Sequence, residues 1–535
     1  MEYYEEVVKR VKEEYEKRRE GRLAYELMWQ MNMNFLSGNQ YCTISPRGII
    51  ENVGTQYEWQ LKEVYNHIAP IMETRMSKLL RVRPCLTVSP FSDSESDIAA
   101  AKVSELLLNS ILDNQNMQKV LADGCSFSET CGTVFYKVAW NTRAGKTIGR
   151  YKGSEVYEGD IDITLCPPFE IYPDSNTAAD VNDCNSIIHA RALPVTQIKA
   201  IWGKEVLPEE ICAFSPSNNS NGGYAYNYTV PSIAKQKLTN CATVIEFYEK
   251  ATADLPKGRL TIVAGDKALY IGDLPYTNQS GSQRGFPFIR QTSLQSPGCF
   301  WGVSIIERLI PLQRSYNAVK NRKYEYLNRL AAGILAVEEG SVNTDELEQE
   351  GLYPGKILVY RQGSELPKLL APEKIPADFK EEEERLLAEF AVISGVSDLM
   401  RSSNTPVNVT SGIALNLLME QDDSRMLSTS EQVRNSLKII GLHILRIYKQ
   451  FAELPRLFSI TDNEGRKIVK TFDASELAND DIIINTENEL SSTPAQQRSL
   501  AMELYHAGLL FDENGKLPPQ TKSKLLSLMG FSDLH

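Results

Sequence analysis

The sequence predicts a helix-rich α+β chain built from several compact units. Three observations carry that prediction. Long stretches place apolar residues every three or four positions, the period of an amphipathic helix. Shorter stretches between them are rich in β-branched and aromatic residues and are bounded by turn formers. A length of 535 residues, 42% hydrophobic and 24% charged, corresponds to about three or four domains with ample material for a core.

Tyr4, Val7, Val8, Val11 and Tyr15 fall at helical spacing and predict a helix from 3 to about 35, ending near FLSGNQY. YEWQLKEVYNHIAPIMETRMSKLL predicts a second helical region, interrupted or kinked at Pro70. DIAAAKVSELLLNSIL predicts a third, from Asp97 to about Leu112. GTVFYKVAW, TIGRYKG, GDIDITLCPP, ATVIEFYEKA and GRLTIVAGDKALYIG read as strands, and AFSPSNNSNGGYAYNYT as an exposed polar loop. No internal repeat is visible.

From Trp301 the pattern changes. WGVSIIERLI leads to Pro311, a residue suited to the first turn of a new helix. Leu312, Tyr316, Val319, Lys323, Leu327 and Leu330 then recur at helical intervals. GILAVEEG, NTDELEQEG and GKILVYRQG form a strand–helix–strand unit of about 40 residues, too small for a generous core of its own. Another helix begins after Pro376, where Asp378 and Glu381 have the spacing of a capping box. A polar segment from 400 to 411 separates it from a long helix starting near Gly412. Beyond that come a hairpin around DNEG, a strand DDIIINTE and two terminal helices.

Several chemistries are missing from this sequence. No run approaches the roughly 18 apolar residues of a membrane span; the richest, LKIIGLHILRIYKQF, is broken by Lys438, His443, Arg446 and Lys449. The charged N-terminus lacks the apolar segment of a signal peptide, so the chain is expected to stay in the compartment where it is made. Nine cysteines without a C-x-x-C pair read as reduced, buried thiols. The five histidines show no ligand spacing, so no metal is expected. RAGKT tempts a phosphate-loop reading, but Trp140 occupies the place of the loop's first glycine. Asp174, Asp180 and Asp183 lack the alternation of a calcium loop. No catalytic residue, cofactor or enzymatic activity is predicted. A net charge of −12 also gives no basic face for tight DNA binding.

The order of segments carries a resemblance. A glycine-led helix GVSIIERLIPLQRSYNAVKNRKYEYLN, a small α/β insert, a return helix, VISGVSDLM, a polar loop and TSGIALNLLMEQ follow in line. Together with FLSGNQY, NHIAPIMETRMSKLLRVRPCLTVSP, ETCGTVFYKVAW, PPFEIYPDS and ENELSSTPAQQRSLAMELYHAGLL, this resembles the portal, or head-to-tail connector, proteins of tailed double-stranded DNA bacteriophages. The resemblance implies a wing over residues 1–301, a first stem helix at 302–333, a clip at 334–377 and a second stem helix at 378–399. It further implies a tunnel loop at 400–411, a wing helix at 412–456 and a hairpin with a helical crown at 457–535.

By the same resemblance the subunit forms a homo-oligomeric ring, commonly of twelve copies, at one capsid vertex of the virion, assembled in the host bacterial cytoplasm. Double-stranded DNA passes non-specifically through it. The terminase large subunit, the major capsid or scaffolding protein and head–tail adaptor or tail proteins are the implied partners; no membrane is. The tunnel loop would offer Arg401, Ser402, Ser403, Asn404, Thr405, Pro406, Val407 and Asn408 to DNA. Arg314, Lys320, Arg322, Lys323 and Arg329 on the first stem helix are expected to pair with Glu381, Glu382, Glu383 and Glu384 on the second. Glu338, Glu339, Asp345, Glu346, Glu348 and Glu350 give the clip an acidic docking face. Competing readings are another virion structural protein, such as an adaptor or capsid component, or an ATP-dependent DNA motor subunit, which would need the phosphate loop that is missing.

Overall fold

The computed structural model describes residues 2–46, 48–53, 60–80, 86–90, 92–151, 154–209, 211–212, 237–277, 284–332, 334–343, 345, 357–370, 378–396, 412–452, 456–461, 467–472, 477, 483–486, 502–503 and 505–506. The helices are α1 (Glu2–Ser37), α2 (Ile68–Leu79), α3 (Glu95–Asn114), α4 (Met117–Cys131), α5 (Val195–Trp202), α6 (Ile305–Ala332), α7 (Asp378–Ser394) and α8 (Gly412–Phe451). Strands interleave with them, so the class is α+β. Among the described residues no sheet closes into a barrel, and no helix is long and apolar enough to cross a membrane.

Two antiparallel sheets organise the N-terminal half. The larger has five strands in the order Lys267–Gly272, Arg259–Ala264, Cys241–Glu249, Ser186–Pro194, Ile171–Pro173. Val7, Val8, Val11 and Tyr15 of α1 bury against it with Ile188, Ile245, Phe247 and Val263. The smaller sheet runs Phe288–Thr292, Thr133–Asn141, Asp160–Cys166. The buried residues of α8 (Met426, Val433, Leu437, Ile440, Ile444, Ile447) recur at helical spacing and share one core with Val134, Tyr136, Val138, Leu107, Leu108 and Leu121. Each such aliphatic side chain, fully buried, stabilises the fold by about 1.5–3 kcal/mol relative to exposure.

α6 and α7 run antiparallel, since Tyr316 meets Phe390 and Tyr326 meets Phe379. Leu312 and Tyr316 of α6, Leu386 and Phe390 of α7, and Phe35, Ile68 and Ile71 make a third core. At the far end of the chain, Ile483–Thr486 pairs antiparallel with Leu86–Ser89. Strand Arg456–Thr461 pairs antiparallel with Lys467–Phe472; the DNEG segment between them lies outside the described residues.

Several elements differ from the sequence expectation. Residues 60–67 are not helical, and only Ile68–Leu79 forms the second helix. A helix not foreseen, α4, follows α3 after a break at Asn116, which adopts a left-handed conformation with φ 49°. α6 starts before Pro311 and continues through it, although proline cannot donate the backbone hydrogen bond of that turn. In the small insert, Ile334–Ala336 pairs with Lys368–Leu370, whereas 357–360 of the expected second strand has no regular structure. Strands Ser186–Pro194 and Ile171–Pro173 were also not foreseen.

Candidate functional site

The charged residues expected to join the two stem helices meet at one carboxylate. Glu383 on α7 accepts from Lys323 Nζ at 2.8 Å and pairs with Lys320, both one turn apart on α6. Tyr316 Oη lies 3.5 Å from the same carboxylate. Burial pushes the Glu383 carboxyl up, but the Lys320 and Lys323 hydrogen bonds outweigh it and hold it below the ordinary range. Lys320 mirrors this: burial lowers its pKa, and the Glu383 contact raises it above the usual lysine value.

The other charges of the set behave differently. Glu382 bonds Arg385 and Glu384 pairs with Lys380, all within α7. Glu381 is exposed. Arg314 donates to the Cys42 carbonyl at 2.8 Å and its guanidinium lies over the Phe35 ring. Arg322 is exposed and makes no ion pair among the described residues, and the Arg329 side chain lies outside the described part. Among the described residues, charge pairing between the helices is therefore one three-residue clamp and not a ladder.

A second, polar fastening lies along α6. Gln313, Asn317, Asn321 and Glu325 accept from the backbone N–H groups of His67, Tyr65, Glu63 and Leu61 at 3.0, 3.1, 3.2 and 2.9 Å. Gln313 and Asn321 donate back to the carbonyls of Tyr65 and Glu63 at 2.7 and 3.0 Å. The register has a geometric cause: four helical residues rise about 6 Å, and two extended residues advance about 6.6 Å. Side chains at i, i+4, i+8 and i+12 of a helix can thus serve every second amide of an extended chain. This is why 60–66 is not helical despite its helical pattern.

A buried ion pair joins distant parts. Arg75 on α2 donates from Nε to Glu129 on α4 at 2.6 Å and from Nη1 to the Ser394 carbonyl at 3.0 Å. Ser293 Oγ donates to the other Glu129 oxygen at 2.6 Å. Ser394 is the last residue of α7, two residues before the described chain stops at 396. Arg401, Ser402, Ser403, Asn404, Thr405, Pro406, Val407 and Asn408 lie outside the described residues. So do Glu346, Glu348 and Glu350; Glu338, Glu339 and Asp345 are exposed, and the Glu338 carboxylate accepts from the Glu365 amide at 2.9 Å.

One group of potential metal ligands forms despite the scattered histidines. Cys166, Glu170 and His189 bring their donor atoms within 4.8 Å of one another. His189 Nε2 is 3.0 Å from Glu170 and its Nδ1 is 3.3 Å from Glu246. Glu246, fully buried, is penalised by desolvation, yet Lys137, His189 and Arg191 hold it well below the ordinary carboxylate range. Residues 166, 170 and 189 come from a strand end, a 3-10 turn and a central strand, so no sequence spacing announces them.

The charge-clamped antiparallel helix pair is thus carried on a helix-rich α+β body and anchored to it by a polar zipper and a buried ion pair. The Phage P22-like portal protein family matches residues 51–497 of the chain. The chain belongs to that family of bacteriophage portal proteins, virion structural proteins that serve DNA packaging. No curated protein gives a significant match.

Proposed function

We propose that the chain assembles, as portal proteins do, into a closed ring of about twelve copies at one capsid vertex, through which the genome is packaged and ejected. The observation that carries this reading is the family match over 51–497, which spans both helices of the clamped pair and the polar segment after α7. In this reading 1–301 is the wing, α6 and α7 are the stem, 334–377 the clip, 400–411 the tunnel loop, α8 the wing helix and 457–535 the crown.

The polar segment explains how such a channel avoids gripping its cargo. Duplex DNA presents a phosphate about every 1.7 Å, and each lysine or arginine that pairs with one adds salt-dependent affinity that must be broken at every advance. Ser402, Ser403, Asn404, Thr405 and Asn408 touch a backbone without an ionic hold, Pro406 and Val407 add none, and Arg401 stands at the edge. A subunit of net charge −12 favours sliding over holding. The exposed acids Glu338, Glu339 and Asp345, with Glu346, Glu348 and Glu350, offer the terminase motor and later tail adaptors a docking face. The motor supplies the ATP hydrolysis, and the portal is not itself an enzyme. The capsid or scaffolding protein meets the wing.

Substituting Ser402, Ser403 and Asn404 together by lysine tests the loop. The expected result is intact rings that hold DNA in a strongly salt-dependent way and package it more slowly. Packaging rates and salt profiles equal to those of the unchanged protein would remove 400–411 from the channel wall.

A further inference from the structure

The Cys166, Glu170 and His189 cluster has the organisation of a metal site. Its donors arise from separate elements: the end of strand Asp160–Cys166, the turn Pro168–Glu170, and strand Ser186–Pro194. Cys166 and His189 are fully buried, while the Glu170 side chain is 13% exposed, so the cluster meets solvent on the Glu170 side. The surroundings of His189 match what a ligating histidine requires, because the ring nitrogen not on the metal ordinarily donates to a carboxylate that fixes the tautomer. Glu246 fills that role toward Nδ1 at 3.3 Å. Its own position is fixed by Lys137 Nζ at 2.5 Å and Tyr248 Oη at 2.8 Å.

We propose that Cys166 Sγ, Glu170 and His189 Nε2 bind a zinc ion, with water as the fourth ligand on the Glu170 side. Thiolate, imidazole and carboxylate together suit zinc better than magnesium or calcium. Tetrahedral ligands at about 2.0–2.3 Å from zinc lie about 3.3–3.6 Å apart, so the 3.0 Å separation of His189 Nε2 and Glu170 needs to open by only a few tenths of an ångström. Charges balance as well. Zinc is neutralised by the Cys166 thiolate and Glu170, His189 is neutral, and Lys137 and Glu246 cancel. A plain ion-pair network of His189 between Glu170 and Glu246 would use the same carboxylates but would need no sulfur, and that difference makes Cys166 the discriminating residue.

The test uses full-length protein equilibrated with micromolar zinc and freed of excess. Elemental analysis is expected to find about one zinc per chain, and a chelator is expected to lower the unfolding midpoint. Cys166→Ser should cut the bound metal at least tenfold and make the midpoint insensitive to chelator. Cobalt should give a thiolate charge-transfer band that Cys166→Ser abolishes. If Cys166→Ser does not fold, the partly exposed Glu170→Gln should show a clear loss of zinc with the fold intact. Wild-type protein without bound zinc, or zinc retained undiminished in whichever of these variants folds, would overturn the site.

Discussion

Arg75 Nη1 donates to the carbonyl of Ser394 at 3.0 Å, tying a helix near residue 70 to the residue at which α7 ends. The same guanidinium holds Glu129 through Nε at 2.6 Å, and both partners are buried. Removing one member of a buried pair strands the other's charge. Arg75→Met or Glu129→Leu is therefore expected to cost about 3–5 kcal/mol, while the double variant recovers much of that loss. Urea unfolding of the two singles and the double checks it, and strictly additive losses would contradict the coupling.

Gly132 and Gly302 sit back to back. Gly132 has φ +83°, and a Cβ on it would lie 2.3 Å from the Gly302 carbonyl oxygen. Gly203 has φ +70° with open space around it. Gly203→Ala should cost only the left-handed strain, about 1 kcal/mol. Gly132→Ala adds a backbone clash and should cost several times more or abolish folding. Comparable thermal midpoints for the two variants would contradict this.

The Glu383 clamp predicts a pH window. Because Glu383 titrates lower when folded, its contribution is complete above the ordinary carboxylate value of about 4.3 and is lost as pH falls through the depressed one. Because Lys320 titrates higher, its contribution is complete below about 10.4 and is lost as pH rises beyond it. The stability difference between wild type and Glu383→Gln should thus be flat from about pH 5 to pH 10, at about 1–2 kcal/mol, and shrink outside. A difference that peaks at low pH would have the wrong sign.

The zipper on α6 predicts position-dependent effects. Asn317→Leu leaves the half-buried Tyr65 amide without an acceptor, at about 1 kcal/mol or somewhat more. Asn328→Leu, exposed further along the same helix, should cost far less. Hydrogen exchange at Tyr65 and Glu63 should accelerate selectively in Asn317→Leu. Unchanged exchange at both would contradict the zipper.

These contacts also show what the sequence made legible. The helix and strand periods of α1, α3, α6, α8 and strand Thr133–Asn141 are strong because one face of each is packed in a core. The run from 57 to 67 has the same period yet is not helical over 60–66, since four side chains on α6 capture its amides. α4 escapes notice because GCSFSETC is poor in helix formers, and its small residues are demanded by a neighbour. A Cβ on Gly124 would lie 2.0 Å from Tyr136 Oη, and that hydroxyl donates to Gln291. The Lys320–Glu383–Lys323 clamp was legible as opposite charge on two helices, though not which residues meet. Arg75, Glu129 and the Cys166 group are joined only by tertiary folding, and no local pattern encodes them.

Electron microscopy of the purified full-length protein tests the central claim most directly. The account predicts closed rings with a central hole and the paired helices arranged around it. Particles that stay monomeric at high concentration, or rings whose hole is lined elsewhere with the residues after Ser394 on the outer wall, would contradict it.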